Sequence, residues 1–131
     1  MKGIIFDFNG TLLWDSQLHF DAWHIYSKKL IGRPFSKEEM LTHMFGHTNE
    51  DILTYALGKK PEKDLLDKYS REKEAYYRAQ CLAQPECFKL APHAEEYLDY
   101  LKSQNIPMTI ATMSEWQNVE FYIKELKHLI F

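Results

Sequence analysis

The hydrophobic pattern of the chain changes period twice. Gly3-Ile4-Ile5-Phe6 is a short unbroken apolar run that stops at Asp7 and meets an Asn9-Gly10 turn signal. Such a run predicts a buried, parallel strand rather than an alternating surface one. From Ser16 the period becomes helical. Leu18, Ala22, Ile25 and Lys29 fall on one track with Trp23, Tyr26 and Leu30 beside it, and Gly32 and Pro34 end the helix. Ser36-Lys37-Glu38-Glu39 reads as a capping box opening a short helix through Phe45. Thr48 caps another, carrying Ile52, Leu53, Ala56 and Leu57 until Gly58. Pro61 suits the first turn of a long polar helix with Leu65, Leu66, Tyr69, Tyr76 and Tyr77.

After about residue 82 the strand-and-helix alternation returns. Pro92 opens a helix with Ala94, Tyr97, Leu98 and Leu101 on one side and Asn105 as its stop. Residues 107–112, Pro-Met-Thr-Ile-Ala-Thr, predict a second strand ending in small polar residues. Ser114-Glu115-Trp116-Gln117 reads as a second capping box, opening a helix with Val119, Tyr122, Ile123 and Leu126 inward. Leu129-Ile130-Phe131 resembles the approach to a third strand. The order is a βαβ unit interrupted just after its first strand by a helical insertion, hence an α/β fold. The division expected is a core of residues 1–14 and 84–131, with residues 15–83 as a helical cap. A sheet of two or three strands leaves an open edge, through which self-association is expected, and suggests a truncated chain.

Composition narrows the partners. Of 131 residues, 45% are hydrophobic and 15% aromatic, enough for a packed interior. A formal charge of -3 without a basic run speaks against nucleic acid and anionic membrane as partners. Apolar stretches are far too short to span a bilayer. Two cysteines, Cys81 and Cys87, fit reduced thiols in a cytoplasmic protein better than a disulfide framework.

Ligands of open α/β sheets bind beyond the carboxyl ends of the strands. Asp7 ends one strand; Thr112 and Ser114 follow the other. A carboxylate can act as a nucleophile toward phosphorus and split one difficult displacement into two easier ones. The charge gathered there calls for backbone N–H donors and a divalent cation. The turn at Asn9-Gly10-Thr11 offers such donors, Gly10 permitting close approach. Thr112 or Ser114 can bond a phosphate oxygen, and the next helix N-terminus adds a favourable dipole. The bland alternative for Asp7 is a turn residue at a strand end.

Ile4-Ile5-Phe6-Asp7-Phe8-Asn9-Gly10-Thr11-Leu12 resembles the first motif of the haloacid dehalogenase (HAD) superfamily, D-x-D-G-T. Thr109-Ile110-Ala111-Thr112 resembles the second, and the helical insertion resembles the C1 cap. Asp15-Ser16, His19, Ala22-Trp23 and residues 46–51, Gly-His-Thr-Asn-Glu-Asp, are similar to the β-phosphoglucomutase and phosphoglycolate phosphatase branch. The resemblance implies a Rossmann-like core, partial in this chain. It implies a magnesium-dependent hydrolase acting on small phosphorylated metabolites, sugar phosphates foremost, through an aspartyl-phosphate. Asp7 would be nucleophile and Mg2+ ligand, with the carbonyl of Asn9 a second ligand. Gly10, Thr11, Thr112, Met113 and Ser114 would surround the phosphoryl group. His19, Trp23, His47 and Asn49 would serve the substrate from the cap.

Two departures from the family pattern bear on activity. Asn9 stands where the phosphatases and mutases carry the aspartate that acts as general acid–base. An amide has no titratable proton near neutral pH, and losing such a group lowers rates by about a hundred- to ten-thousand-fold. The family's later motifs, a lysine and an acidic pair, do not follow Thr112 before Phe131. The alternatives are therefore a catalytically weak phosphate-binding or regulatory relative, or a phosphomutase, which Asn49 in place of an arginine disfavours. His43 and His47 are separated by Gly46 and read as no metal pair. The charged run from Lys68 to Arg78 reads as a solvated helix face, and Trp14, Trp23 and Trp116 have core-like spacings, Trp14 also suiting a cleft wall at the hinge.

Overall fold

The computed structural model describes residues 2–129. Its elements run β1 (Ile4–Phe6), α1 (Ser16–Ile31), α2 (Lys37–Glu39), a π-helical turn (Met40–Met44), α3 (Asn49–Leu57), α4 (Lys63–Ala83), α5 (Ala94–Ser103), β2 (Met108–Ile110), α6 (Trp116–Glu125) and a 3-10 turn (Lys127–Leu129). The fold is mixed α/β, six helices with a small parallel sheet. The chain divides into two compact units, Met1–Asp15 with Gln84–Phe131, and Ser16–Ala83.

The α/β unit is organised by β1 and β2, which pair in parallel with Ile4 opposite Met108 and Phe6 opposite Ile110. The ladder continues as Ala111 N–H donates to Phe6 O at 2.8 Å. Phe8, Leu13, Leu90, Leu98, Leu101 and Tyr122 are buried around it. The rings of Phe8 and Tyr122 lie 4.6 Å apart, joining the segment after β1 to α6. A cavity of about 230 Å³ opens against Phe8, Ile110, Val119, Ile123 and Leu129. The expectation of a strand buried on both faces fails at Ile5, which is 72% exposed. Alternation along a strand sends Ile5 away from the covered face.

The helical unit holds four α-helices and the π turn without a strand among the described residues, packed on Trp23, Tyr26, Phe35, Met44, Ile52 and Leu53. Both expected caps form here. Ser36 accepts from Glu39 N–H while the Glu39 carboxylate accepts from Ser36 N–H. Thr48 and Asp51 do the same for α3, and Gly58 ends that helix with φ 74°. Helix α2 does not continue as a plain helix to Phe45. Phe45 N–H reaches back five residues to Met40 O, closing the π turn.

Other expectations need correction. Lys73 and Glu74, read as part of a solvated face, are 1% and 6% exposed. Lys73 falls on the inward track of Leu66, Tyr69 and Tyr77, and its ammonium has partners within the unit. Ile25, Leu65, Tyr97 and Ile123 are exposed although the periodicity turned them inward, because each sits at the margin of its apolar stripe. Trp116 is 67% exposed and Trp14 is also exposed, so of the three tryptophans Trp23 alone is core. At α6, Glu115 is the N-cap without a side-chain bond, and the capping box predicted from Ser114 does not form. Leu129 lies in a 3-10 turn at Lys127–Leu129, and residues 130 and 131, where the approach to a third strand was expected to continue, lie outside the described residues.

Candidate functional site

The parallel register places Asp7 and the segment from Ala111 to Ser114 at the same, carboxyl end of the sheet. Asp7 is exposed, and its Oδ2 accepts from the hydroxyl of Thr11 at 3.2 Å. That bond spans one turn and holds the carboxylate at the mouth of the loop. Gly10 takes φ 81°, a conformation open to glycine at little strain. The loop N–H groups expected to face a phosphate are turned inward at two positions. Gly10 N–H donates to Leu13 O at 2.7 Å and Thr11 N–H to Phe8 O at 3.0 Å, tightening the turn instead.

Asn9 is the centre of a polar network. Its Nδ2 donates to Asp15 Oδ2 at 2.8 Å and to the Tyr122 hydroxyl oxygen at 3.1 Å. Its Oδ1 accepts from Ser114 Oγ at 2.6 Å, with Thr112 Oγ1 at 3.3 Å. Thr112 Oγ1 also lies 3.2 Å from Ser114 Oγ and accepts from Ser114 N–H at 3.1 Å. Ser114 thus bonds across the sheet end to Asn9, which explains why its hydroxyl does not cap α6. Met113, between the two hydroxyl residues, is exposed.

Sequence reasoning placed Asp7, Asn9, Gly10, Thr11, Thr112, Met113 and Ser114 here, and the structure brings them to one sheet end. Asp15 and Tyr122 were missed as site members. Both are buried, with Asp15 at 3%, and join the site through Asn9. In the sequence Asp15 stands only as part of the family resemblance and Tyr122 as an inward position of the last helix, and neither pattern carries a signal for a bond across the fold.

The four other expected residues belong to the helical unit. His19 Nδ1 lies 2.7 Å from Lys73 Nζ, and its ring stacks on Tyr77 at 4.0 Å. Asn49 Nδ2 donates to Glu74 Oε1 at 2.9 Å, the same oxygen that accepts from Lys73 Nζ at 2.9 Å. Trp23 is buried beneath the Lys73 ammonium, 5.6 Å from its ring centroid. His47 is exposed, 3.9 Å from Asp51. His43 stacks on Tyr55 at 3.7 Å, a packing role.

Among the described residues no three His, Cys, Asp or Glu side chains converge as a metal cluster. Mg2+ needs less from a protein: one or two carboxylates with phosphate oxygens and water complete its octahedron. The Asp7 carboxylate, with the Asn9 carbonyl of the same loop, fits that partial role.

A sequence profile of the haloacid dehalogenase-like hydrolases matches residues 4–130. Among solved structures, a HAD hydrolase of family IA, variant 3, from Entamoeba histolytica is 36% identical with a TM-score of 0.86; the match covers 97% of this chain and 56% of that one. A putative β-phosphoglucomutase from Thermotoga maritima is 23% identical with a TM-score of 0.70, over 98% and 57% of the two chains. An Asp-to-Asn mutant of CbbY from Rhodobacter sphaeroides, in complex with xylulose-(1,5)bisphosphate, is 22% identical with a TM-score of 0.74, over 97% and 57%. The last two likenesses speak to the fold alone. No curated protein matches the chain. The chain spans a little over half the length of these structures. The match along nearly its full length, on a sheet that brings the two motifs to one end, makes the chain a member of the haloacid dehalogenase-like hydrolase family.

Proposed function

We propose that the chain carries the phosphoryl-transfer site of a magnesium-dependent phosphatase of small phosphorylated metabolites, sugar phosphates foremost, with Asp7 as nucleophile. The observation that supports this reading is the parallel pairing of β1 with β2, which brings Asp7 and the segment carrying Thr112 and Ser114 to the same end of the sheet. An Asp7 oxygen forms a bond to phosphorus as the bond to the leaving oxygen breaks. Water then attacks the acyl phosphate and releases orthophosphate and free Asp7. Mg2+, held by Asp7 and the Asn9 carbonyl, would supply charge stabilisation for the phosphoryl oxygens. Thr112, Met113 and Ser114 would hold those oxygens, with Gly10 and Thr11 shaping the loop. Asn9 cannot protonate the leaving alkoxide, so that proton comes from water, and turnover is slow.

His19, Trp23, His47 and Asn49 would serve the substrate from the helical unit. The sugar-phosphate ligand of the CbbY structure supports the substrate class. No helix among the described residues is long and apolar enough to cross a membrane. Cys81 and Cys87 are not joined in a disulfide, consistent with the cytoplasmic site in this reading. The open sheet edge adds self-association, which light scattering reads directly.

The test is hydrolysis of p-nitrophenyl phosphate with Mg2+, comparing the chain with Asp7→Asn. Slow turnover that falls to the buffer rate in the variant is expected; equal rates in both would sink the nucleophile assignment. The fixed Asn9 network favours one second reading, a phosphate-binding relative. That reading predicts orthophosphate binding without turnover.

A further inference from the structure

We infer that Asp15 is a positioning residue of this site, acting through Asn9, and that the two residues form a matched pair in which the amide at position 9 is required by the carboxylate at position 15. Asp15 is almost wholly buried, and a carboxylate offers only acceptors. It therefore dictates which end of the Asn9 amide faces it, and Nδ2 does so at 2.8 Å. The same NH2 group donates to Tyr122. With Nδ2 committed on that side, Oδ1 must face the hydroxyls of Ser114 and Thr112, residues that follow β2 and stand far from Asp15 in the sequence. Turning the amide over would set an oxygen against the carboxylate and an NH2 group against two hydroxyls. Asp15 thereby fixes how Thr112 and Ser114 are held, although no bond joins it to either.

The pair also assigns a consequence to the family's ordinary residue. An aspartate at position 9 would bring a second carboxylate to within hydrogen-bond distance of Asp15 in a buried setting, where like charges repel strongly. Placing the family motif here alone would thus damage the site rather than restore it. Exchanging both residues keeps every donor opposite an acceptor. The amide at position 15 would donate to the carboxylate at position 9, which would accept from Ser114, Thr112 and Tyr122 as well.

The role of Asp15 in holding Thr112 and Ser114 for phosphate rests on the proposed function; the pairing itself does not. The test therefore has two arms, thermal unfolding of the chain and calorimetric titration with orthophosphate in Mg2+. Asn9→Asp is expected to lower Tm by about 5 °C or more. Asn9→Asp combined with Asp15→Asn is expected to return Tm to within about 2 °C of the parent. Asp15→Ala is expected to weaken orthophosphate binding about tenfold, whereas Asp15→Asn, which can turn its oxygen to the Asn9 amide, keeps most of the affinity. An unchanged Tm in Asn9→Asp, or a double variant no more stable than Asn9→Asp, overturns the pairing. Equal orthophosphate affinity in Asp15→Ala and the parent overturns the positioning role. A parent that binds no orthophosphate overturns the phosphatase reading, while the Tm arm still decides the pair.

Discussion

Lys73 and Glu74 are neighbours in sequence and share one buried contact, an arrangement that a helix permits because Glu74 Oε1 lies 2.9 Å from Lys73 Nζ. Asn49 and His19 join them from α3 and α1, so three helices of the unit meet on these two charges. Removing one partner takes an opposite charge at 2.9 Å away from the other in a buried setting. Glu74→Ala should therefore cost about 3–5 kcal/mol in urea unfolding. Lys73→Met with Glu74→Gln, which removes both charges while keeping volume, should cost clearly less; equal losses would refute the pairing argument. The pair was half legible in the sequence. Lys73 stands on the track of Leu66, Tyr69 and Tyr77, but charge alone pointed to solvent, and only the partners on other helices reverse that reading. The placement of Asp7 and Thr112 just beyond the strand ends was legible because a strand end needs no distant partner to be recognised. Asp15 and Tyr122 were not, since their bonds to Asn9 close only once the sheet has formed.

At the level of elements, local chemistry was the more reliable guide. The boxes at Ser36 and Thr48 and the stop at Gly58 act within a few residues, and the structure forms all three. Ser36→Ala should cost about 1 kcal/mol of stability, read from denaturant unfolding. Glu39 is held harder than a cap alone requires. Arg33 bonds both its oxygens at 2.7 and 3.0 Å, and the Ser36 N–H and the Tyr55 hydroxyl add to it. The guanidinium first, then the backbone and phenol donors, push the Glu39 carboxyl far below its usual range. A carboxyl with a depressed folded pKa stabilises the fold above its unfolded value near 4.5, and that contribution is lost as pH falls below it. Glu39→Gln should flatten the acid limb of the stability profile between about pH 5 and 2, measured by thermal unfolding. The box predicted at Ser114 failed for an instructive reason. The same hydroxyl had a stronger partner in Asn9, 105 positions away, which no local pattern contains.

For the molecule as a whole, the order of strands and helices emerged from periodicity alone, because a change from helical to strand period marks where the insertion begins and ends. Which face of the small sheet is covered did not emerge, as Ile5 and Ile123 show by their exposure. An apolar face with a cavity of about 230 Å³ should bind a fluorescent apolar dye, and Ile123→Glu should reduce that signal. Alkaline stability has its own origin in the helical unit. Burial, reinforced by the hydrogen bond to Glu72 at 2.7 Å, pushes the Tyr26 phenol well above its usual value. A group with a raised folded pKa gives stability that is full below the unfolded value of 10 and declines as pH rises beyond it. Tyr26→Phe should lessen the loss of Tm above pH 10 relative to the parent.

The π turn at Met40–Met44 holds one residue more per turn than an α-helix would, and Phe45 and Gly46 follow it directly. Each residue of an α-helix advances the chain by about 100° around the axis. Deleting Thr42 would thus let α2 run on as an ordinary helix, and the segment from Gly46 to Asn49 would leave it pointing in a different direction. Helical phase in this short stretch acts as an angular setting for His47 and Asn49, one that can be reset by loss of a single residue without touching either side chain.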